Sequence, residues 1–138
     1  MLLCTKVISV RDSERLNAEI DRARSSWLTY APYLDLFRSE LRRAQVVSPA
    51  EVPEDAVTMN SRFALRDAAT GETICYTLVY PEHEARRQGK LSVLSPMGVA
   101  LFGARVGDEV CWTSVDGPEA ATVQRLLYQP ERAGDHHL

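Results

Sequence analysis

The sequence is poor in the features that announce a chemistry. Its cysteines, Cys4, Cys75 and Cys111, are odd in number and far apart, which fits reduced thiols rather than a disulfide framework. No apolar run approaches the ~18 residues needed to span a membrane, and Met1–Val10 lacks the apolar core and cleavage site of a secretory leader. A cytoplasmic protein with no membrane partner is therefore expected. Basic residues are not in excess: 16 Lys and Arg stand against 19 Asp and Glu, a formal charge of −3. Proteins that grip phosphate backbones are usually basic, so strong direct nucleic-acid binding is disfavoured. Gly89-Lys90 is no phosphate loop, because Glu84 stands where its first glycine belongs and Leu91 where Ser or Thr would hold a metal. The dinucleotide-binding glycine pattern is missing as well. His83, His136 and His137 lie in a loop and a tail without a Cys or carboxylate cluster at ligand spacing, so neither a metal nor another cofactor is expected. There is no internal repeat and no low-complexity tract.

What the chain does have is apolar content, 45% of 138 residues, enough for the core of one domain or of one domain with an appendage. Its organising stretch is Leu91–Trp112. Leu91 and Val93 alternate with Lys90 and Ser92 as in a half-buried strand. Ser95 is a good N-cap, and Pro96 occupies the first helical position, where its missing N–H costs nothing. Met97, Ala100 and Leu101, widened by Val99 and Phe102, predict a short helix almost enclosed by a core. Gly103 closes that helix, Gly107-Asp108 turns the chain, and Val110 and Trp112 alternate in a return strand.

Taken in order, Lys6–Val10 approaches a helix whose start, Ser9-Val10-Arg11-Asp12, resembles a capping box with Asp for Glu. Leu16, Ile20 and Ala23 carry the helix to about Ser25. After a break, Pro32 starts a second helix with Leu34, Phe37, Leu41 and Ala44 on one face, ended by Ser48-Pro49. Two helices of ~15 residues make an antiparallel hairpin roughly 20–25 Å long. The acidic stretch from Ser48 to Ala56 carries two prolines and reads as a linker, dividing a helical hairpin, 1–48, from a sheet domain, 49–138. In the second part Val57–Met59, Arg62–Arg66, Glu72–Tyr80 and Ala121–Tyr128 join the strands already named. Phe63 and Leu65 point inward, Ile74, Tyr76 and Leu78 alternate with Thr73, Cys75 and Thr77, Asp116-Gly117 makes a hairpin turn, and Pro130 ends the last strand before a polar tail. The expected fold class is α+β, a helical hairpin followed by a bent antiparallel sheet with one packed helix.

Each candidate reactive group has a plainer role. Ser95 lacks a nucleophile-elbow context and is read as a cap; Cys111, inside an alternating strand, is read as buried and inert. Arg42-Arg43 reads as a solvated helix face. Trp27, Leu28, Tyr30 and Tyr33 cluster around a turn that solvent alone would fill with polar residues. They either close the small hairpin core or form a partner-binding patch, with Trp27 and Tyr30 the residues to watch.

The stretch KLSVLSPMGVALFGARVGDEV resembles the strand, Ser-Pro corner, helix and Gly-Asp turn of the bacterial Gre transcript-cleavage factors. The fuller pattern, ELRRAQVVSP, VPEDAVTMNSR, TLVYP, LSVLSP, GARVGDEV and LLYQPERAGD, is similar to a related family, the regulators of nucleoside diphosphate kinase. The resemblance implies an N-terminal coiled-coil hairpin, a C-terminal domain of the FK506-binding-protein-like fold, and docking on RNA polymerase at the rim of its secondary channel. It places that contact at the corner of Ser95 and Pro96, with Met97 and Gly98 beside it. Gre-type factors also carry two carboxylates at the tip of a long hairpin, where they help hold a catalytic Mg²⁺. In this chain the turn Ser25–Pro32 has no Asp or Glu, and the hairpin is short. The expectation is therefore a non-enzymatic polymerase-binding transcription regulator without cleavage activity, which competes with Gre factors and has no catalytic residues. The alternative is a regulator of nucleoside diphosphate kinase, acting by contact or through its expression. Prolyl isomerase activity is not expected, since fold alone does not carry function and the sequence specifies no aromatic-lined proline pocket.

Overall fold

The computed structural model describes residues 6–25 and 32–135, which divide into two compact units between Val52 and Pro53. The first unit follows its apolar stripe. Strand β1 (Val7–Ser9) runs directly into helix α1 (Val10–Arg24), whose N-terminus is closed by the Ser9 hydroxyl accepting from the Asp12 amide at 3.1 Å. Leu16 and Ile20 of α1 are buried, as are Leu34, Phe37 and Leu41 of helix α2 (Tyr33–Arg43). Ion pairs join the end of α1 to the start of α2, Arg38 to Asp21 at 3.0 Å and Arg24 to Asp35 at 4.0 Å. Lys6, before α1, reaches Glu40 late in α2 at 3.1 Å, so the two helices run antiparallel. Burial pushes the Lys6 ammonium down, against the pull of Glu40. The turn between the helices, with Trp27 and Tyr30, lies outside the described residues.

Two features of this unit differ from the sequence expectation. Helix α2 ends at Arg43 rather than at Ser48, because Gln45–Val47 forms strand β2, paired parallel to β1 with Val7 opposite Gln45. Three-residue strands have too short an alternation to stand out in a sequence. The 3₁₀ turn Pro49–Glu51 lies against β1, which brings the first unit's end to Val52.

The second unit is a five-stranded sheet, order β5-β4-β3-β7-β6, made of β3 (Arg62–Asp67), β4 (Thr73–Val79), β5 (Lys90–Ser92), β6 (Glu109–Ser114) and β7 (Gly117–Tyr128). It is mixed, not antiparallel throughout as expected, since β5 runs parallel to β4 with Leu78 opposite Leu91. The cause lies in Pro81–Gly89, which makes two 3₁₀ turns and closes on Gly89 at φ 72°; the Thr77 amide then donates to the Gly89 carbonyl at 2.7 Å. The chain therefore re-enters beside β4 in the same direction. The class is α+β, and the core comprises Phe63, Leu65, Leu78, Leu91, Val93, Leu101, Phe102 and Val123.

Val57–Met59 is buried yet forms no strand. Its Thr58 amide and hydroxyl both bond to Ser61 Oγ, and Asn60 takes a left-handed φ of 64°, so this stretch of backbone is spent on a turn. Nor is the end of the chain a plain polar tail. Pro130–Ala133 forms the short helix α4, capped by the Gln129 side chain, whose Nε2 donates to the carbonyls of Pro53 and Ala56, both at 2.8 Å. Thr58 Oγ1 donates to Glu131 at 2.7 Å, and Tyr128 donates to Asp135. The two ends of the sheet unit are thus laced together. Cys111, expected to be buried, is exposed, as is Cys75. In β6 it is Val110, Trp112 and Ser114 that are partly covered, and Cys111 faces the other way.

Candidate functional site: the Ser95–Pro96 corner and its cleft

The corner is built by its own backbone. Ser95 takes an extended conformation and its Oγ accepts from the Gly98 amide at 3.0 Å while donating to the Ser92 carbonyl at 2.7 Å. The hydroxyl is therefore committed to capping helix α3 (Pro96–Leu101) and to fixing the turn after β5. Pro96 is exposed, Met97 is half-buried, and Gly98 is buried. A Cβ on Gly98 would sit 2.1 Å from the Ser92 carbonyl oxygen, a contact no side chain could accept. Of the four residues, Pro96 and Met97 present surface, while Ser95 and Gly98 hold them in place. Helix α3 is less enclosed than its pattern suggests: Leu101 and the following Phe102 are fully buried, but Val99 and Ala100 are only half-buried.

Ser95, Pro96 and Met97 form one wall of a cleft of about 490 Å³ over the inner face of the sheet. Leu65, Ile74, Leu91, Tyr76 and Trp112 supply its apolar surface. Ile74 faces this side of the sheet and is 43% exposed. Two aromatic rings therefore meet in one cleft, which the sequence did not specify. The signal was present in the alternation Ile74–Tyr76 and Val110–Trp112, but pairing those segments requires β3 and β7 to lie between β4 and β6. Tyr76 has the buried Phe63 ring beside it as its cross-strand partner, 6.3 Å between centroids.

The charged groups at the cleft are Asp67, Arg86 and Glu119. The Asp67 carboxyl is held below the usual range by the amides of Thr70 and Ala69, which donate to its Oδ1 at 3.0 and 2.8 Å. Burial raises the Tyr76 phenol, Asp67 and Glu119 push it further up, and Arg86 opposes them. Arg86 stands 3.7 Å from Glu84. Among the described residues the cleft contains no nucleophile paired with a base, and Ser95 Oγ is tied to the backbone.

Residues 52–128 match the family described as "Transcription elongation factor, GreA/GreB, C-term". The "Regulator of nucleoside diphosphate kinase" of Escherichia coli K12 is 42% identical over 135 residues, 97% of this chain and 97% of that protein. A "Transcription elongation factor GreA" from Chlorobium phaeobacteroides is 43% identical over 96 residues, 68% of this chain and 60% of the relative. Among solved structures, a "Prokaryotic transcription elongation factor GreA/GreB from Nitrosomonas europaea" superposes with a TM-score of 0.76 at 35% identity, covering 91% of this chain and all of that one.

Proposed function

The chain belongs to the transcription elongation factor GreA/GreB C-terminal family, and from that membership together with the geometry of its corner we propose that it is a non-catalytic regulator that binds RNA polymerase. The observation that carries this reading is Pro96, exposed on a corner that the Ser95 cap and the close approach of Gly98 to Ser92 hold rigid. A preformed contact loses little freedom on binding, which favours affinity. The docking site is the rim of the secondary channel, reached by the sheet unit, which we take to be of the FK506-binding-protein-like fold. The paired helices act as a short coiled-coil arm, and the protein works in the cytoplasm beside the polymerase. The turn Ser25–Pro32 has no carboxylate to share a Mg²⁺, so the bound protein occupies the channel mouth without cutting RNA. It then competes with cleavage-competent relatives by mass action.

The test uses purified core polymerase. The parent should co-migrate with it, release no cleaved RNA from backtracked complexes, and slow cleavage by an added Gre factor. Pro96→Glu, which leaves the Ser95 cap intact and suits the first turn of a helix, should weaken the competition about tenfold or more. RNA cleavage by the parent alone would overturn the non-catalytic reading, and unweakened competition by a folded Pro96→Glu would move the docking surface off the corner. The name of the Escherichia coli relative supports a second reading, direct contact with nucleoside diphosphate kinase. Retention of that kinase rather than polymerase on the immobilised protein would favour it.

A further inference from the structure

The corner's partner surface does not stop at Pro96, because Ser95, Pro96 and Met97 are also the wall of the cleft floored by Tyr76 and Trp112. A segment lying on the corner reaches that floor. Asp67, Trp112, Thr113 and Glu119 are common to this cleft and to a second hollow of about 570 Å³, so they stand on the ridge the two share. Glu119 is the cross-strand partner of Trp112 in the β6–β7 pair, which sets the carboxylate beside the indole on one face of the sheet. Glu119 is exposed and makes no hydrogen bond or ion pair among the described residues. Asp67 accepts from the two turn amides through Oδ1 and also interacts with the Thr70 hydroxyl, and its carboxylate keeps its negative charge at the ridge. Among the described residues the cations nearby are Arg86, mostly exposed and beside Glu84, and Lys90, in the adjoining hollow at the far end from Glu119.

We propose that this cleft receives a cationic side chain, Lys or Arg, flanked by apolar residues, on the polymerase segment that the Ser95–Pro96 corner docks against. The inference rests on the docking reading above and names the chemistry of the partner. A cation is attracted by the faces of Tyr76 and Trp112 and by the two carboxylates together. The methylene stem of Lys or Arg covers apolar surface while its head stays at the polar ridge, and the flanking apolar side chains fit Leu65, Ile74 and Leu91. A phosphate or an acidic segment seated against Trp112 would meet the carboxylates of Asp67 and Glu119, so nucleic acid is disfavoured at this end of the cleft.

The experiment keeps the full chain and changes Glu119, whose exposure makes loss of folding avoidable. Glu119→Gln should weaken binding to core polymerase about threefold, and Glu119→Lys about tenfold or more, with thermal midpoints equal to the parent's. A second readout needs no polymerase. In a Trp27→Phe background Trp112 is the sole indole, and its emission should respond saturably to acetyl-Leu-Arg-Leu-amide and not to acetyl-Leu-Glu-Leu-amide. Adding Glu119→Lys should remove the discrimination. Parent-like polymerase binding by folded Glu119→Lys, or an indole that does not distinguish the two peptides, overturns the cleft assignment. A parent that fails to bind polymerase overturns the docking reading alone.

Discussion

The helix unit combines local apolar stripes with one end-to-end strand pair, β1 with β2, while the sheet unit is tied by side-chain bonds between its two ends. In the helix unit the buried side chains of α1 and α2 form stripes at helical spacing, Leu16 and Ile20 against Leu34, Phe37 and Leu41, with ion pairs between the helices. In the sheet unit the polar contacts that fix the fold span most of its length: Gln129 to Pro53 and Ala56, Thr58 to Glu131, Arg105 to Asp55. Short-range contacts make an element easy to read and cheap to form; long-range contacts make a unit depend on both of its ends. The sheet unit also leaves part of its inner sheet face open, and that face holds the corner and the cleft. Removing one buried group should therefore cost more in the sheet unit than in the helix unit.

The largest effect is expected at Phe102, fully buried where α3 ends. Phe102→Ala should destabilise the sheet unit by about 3–5 kcal/mol, the range for emptying a large core site. We propose further that the sheet unit is an independent domain, so a fragment of residues 53–138 should unfold in one cooperative thermal transition, which the same substitution lowers. An unchanged midpoint in both forms would mean that α3 does not pack as described, and a fragment without a transition would make the helices part of one core.

Next come two helix caps that differ in reach. Ser9 closes α1 through a local bond to Asp12, and Ser9→Ala should cost about 1 kcal/mol. Gln129 caps α4 and also satisfies two carbonyls some seventy residues earlier, at Pro53 and Ala56. It is 2% exposed, so Gln129→Ala strands buried acceptors as well as a helix end, at about 1–3 kcal/mol. Denaturant midpoints of the two variants decide this, and equal losses would remove the distinction drawn between the units.

The same difference in range explains what could be read in advance. The Ser9 cap, the apolar faces of both helices and the Ser95-Pro96 helix start each rest on neighbours within four positions, and apart from Ala44, which lies past the end of α2, each stands in the structure where its local signal puts it. The parallel pairing of β1 with β2 depends on residues 7 and 45 meeting, which no local pattern announces. The parallel β5 depends on how Pro81–Gly89 coils, and the exposure of Cys111 on which face of β6 is covered. For the site, the corner was legible because Ser95, Pro96 and Gly98 are adjacent. The cleft was not, because Tyr76 and Trp112 come from strands separated in the sheet by two others.

The smallest effect concerns the clasp at the end of the sheet unit, and it separates the two units by pH. Tyr128 donates to the Asp135 carboxylate, a bond that exists only while the phenol keeps its proton. That bond, helped by burial and by the charges of Asp135 and Glu131, pushes the phenol from 10.0 up to about 12. Between those values the unfolded chain has released the proton and the folded chain still holds it, so stability falls as pH rises. The contribution is fully present below the unfolded value of 10.0 and is lost as pH climbs through about 12. The pair is near the surface and screened by solvent, which limits it to about 1 kcal/mol or less. The measurement is the difference in thermal midpoint between the parent and Tyr128→Phe from pH 8 to 12. The parent should be the more stable at the neutral end, and the gap should close toward the alkaline end, while helix content of the first unit follows the same course in both proteins. A gap that stays constant across the range would mean that the phenol acts through packing alone, and the clasp would then rest on Gln129 and Thr58.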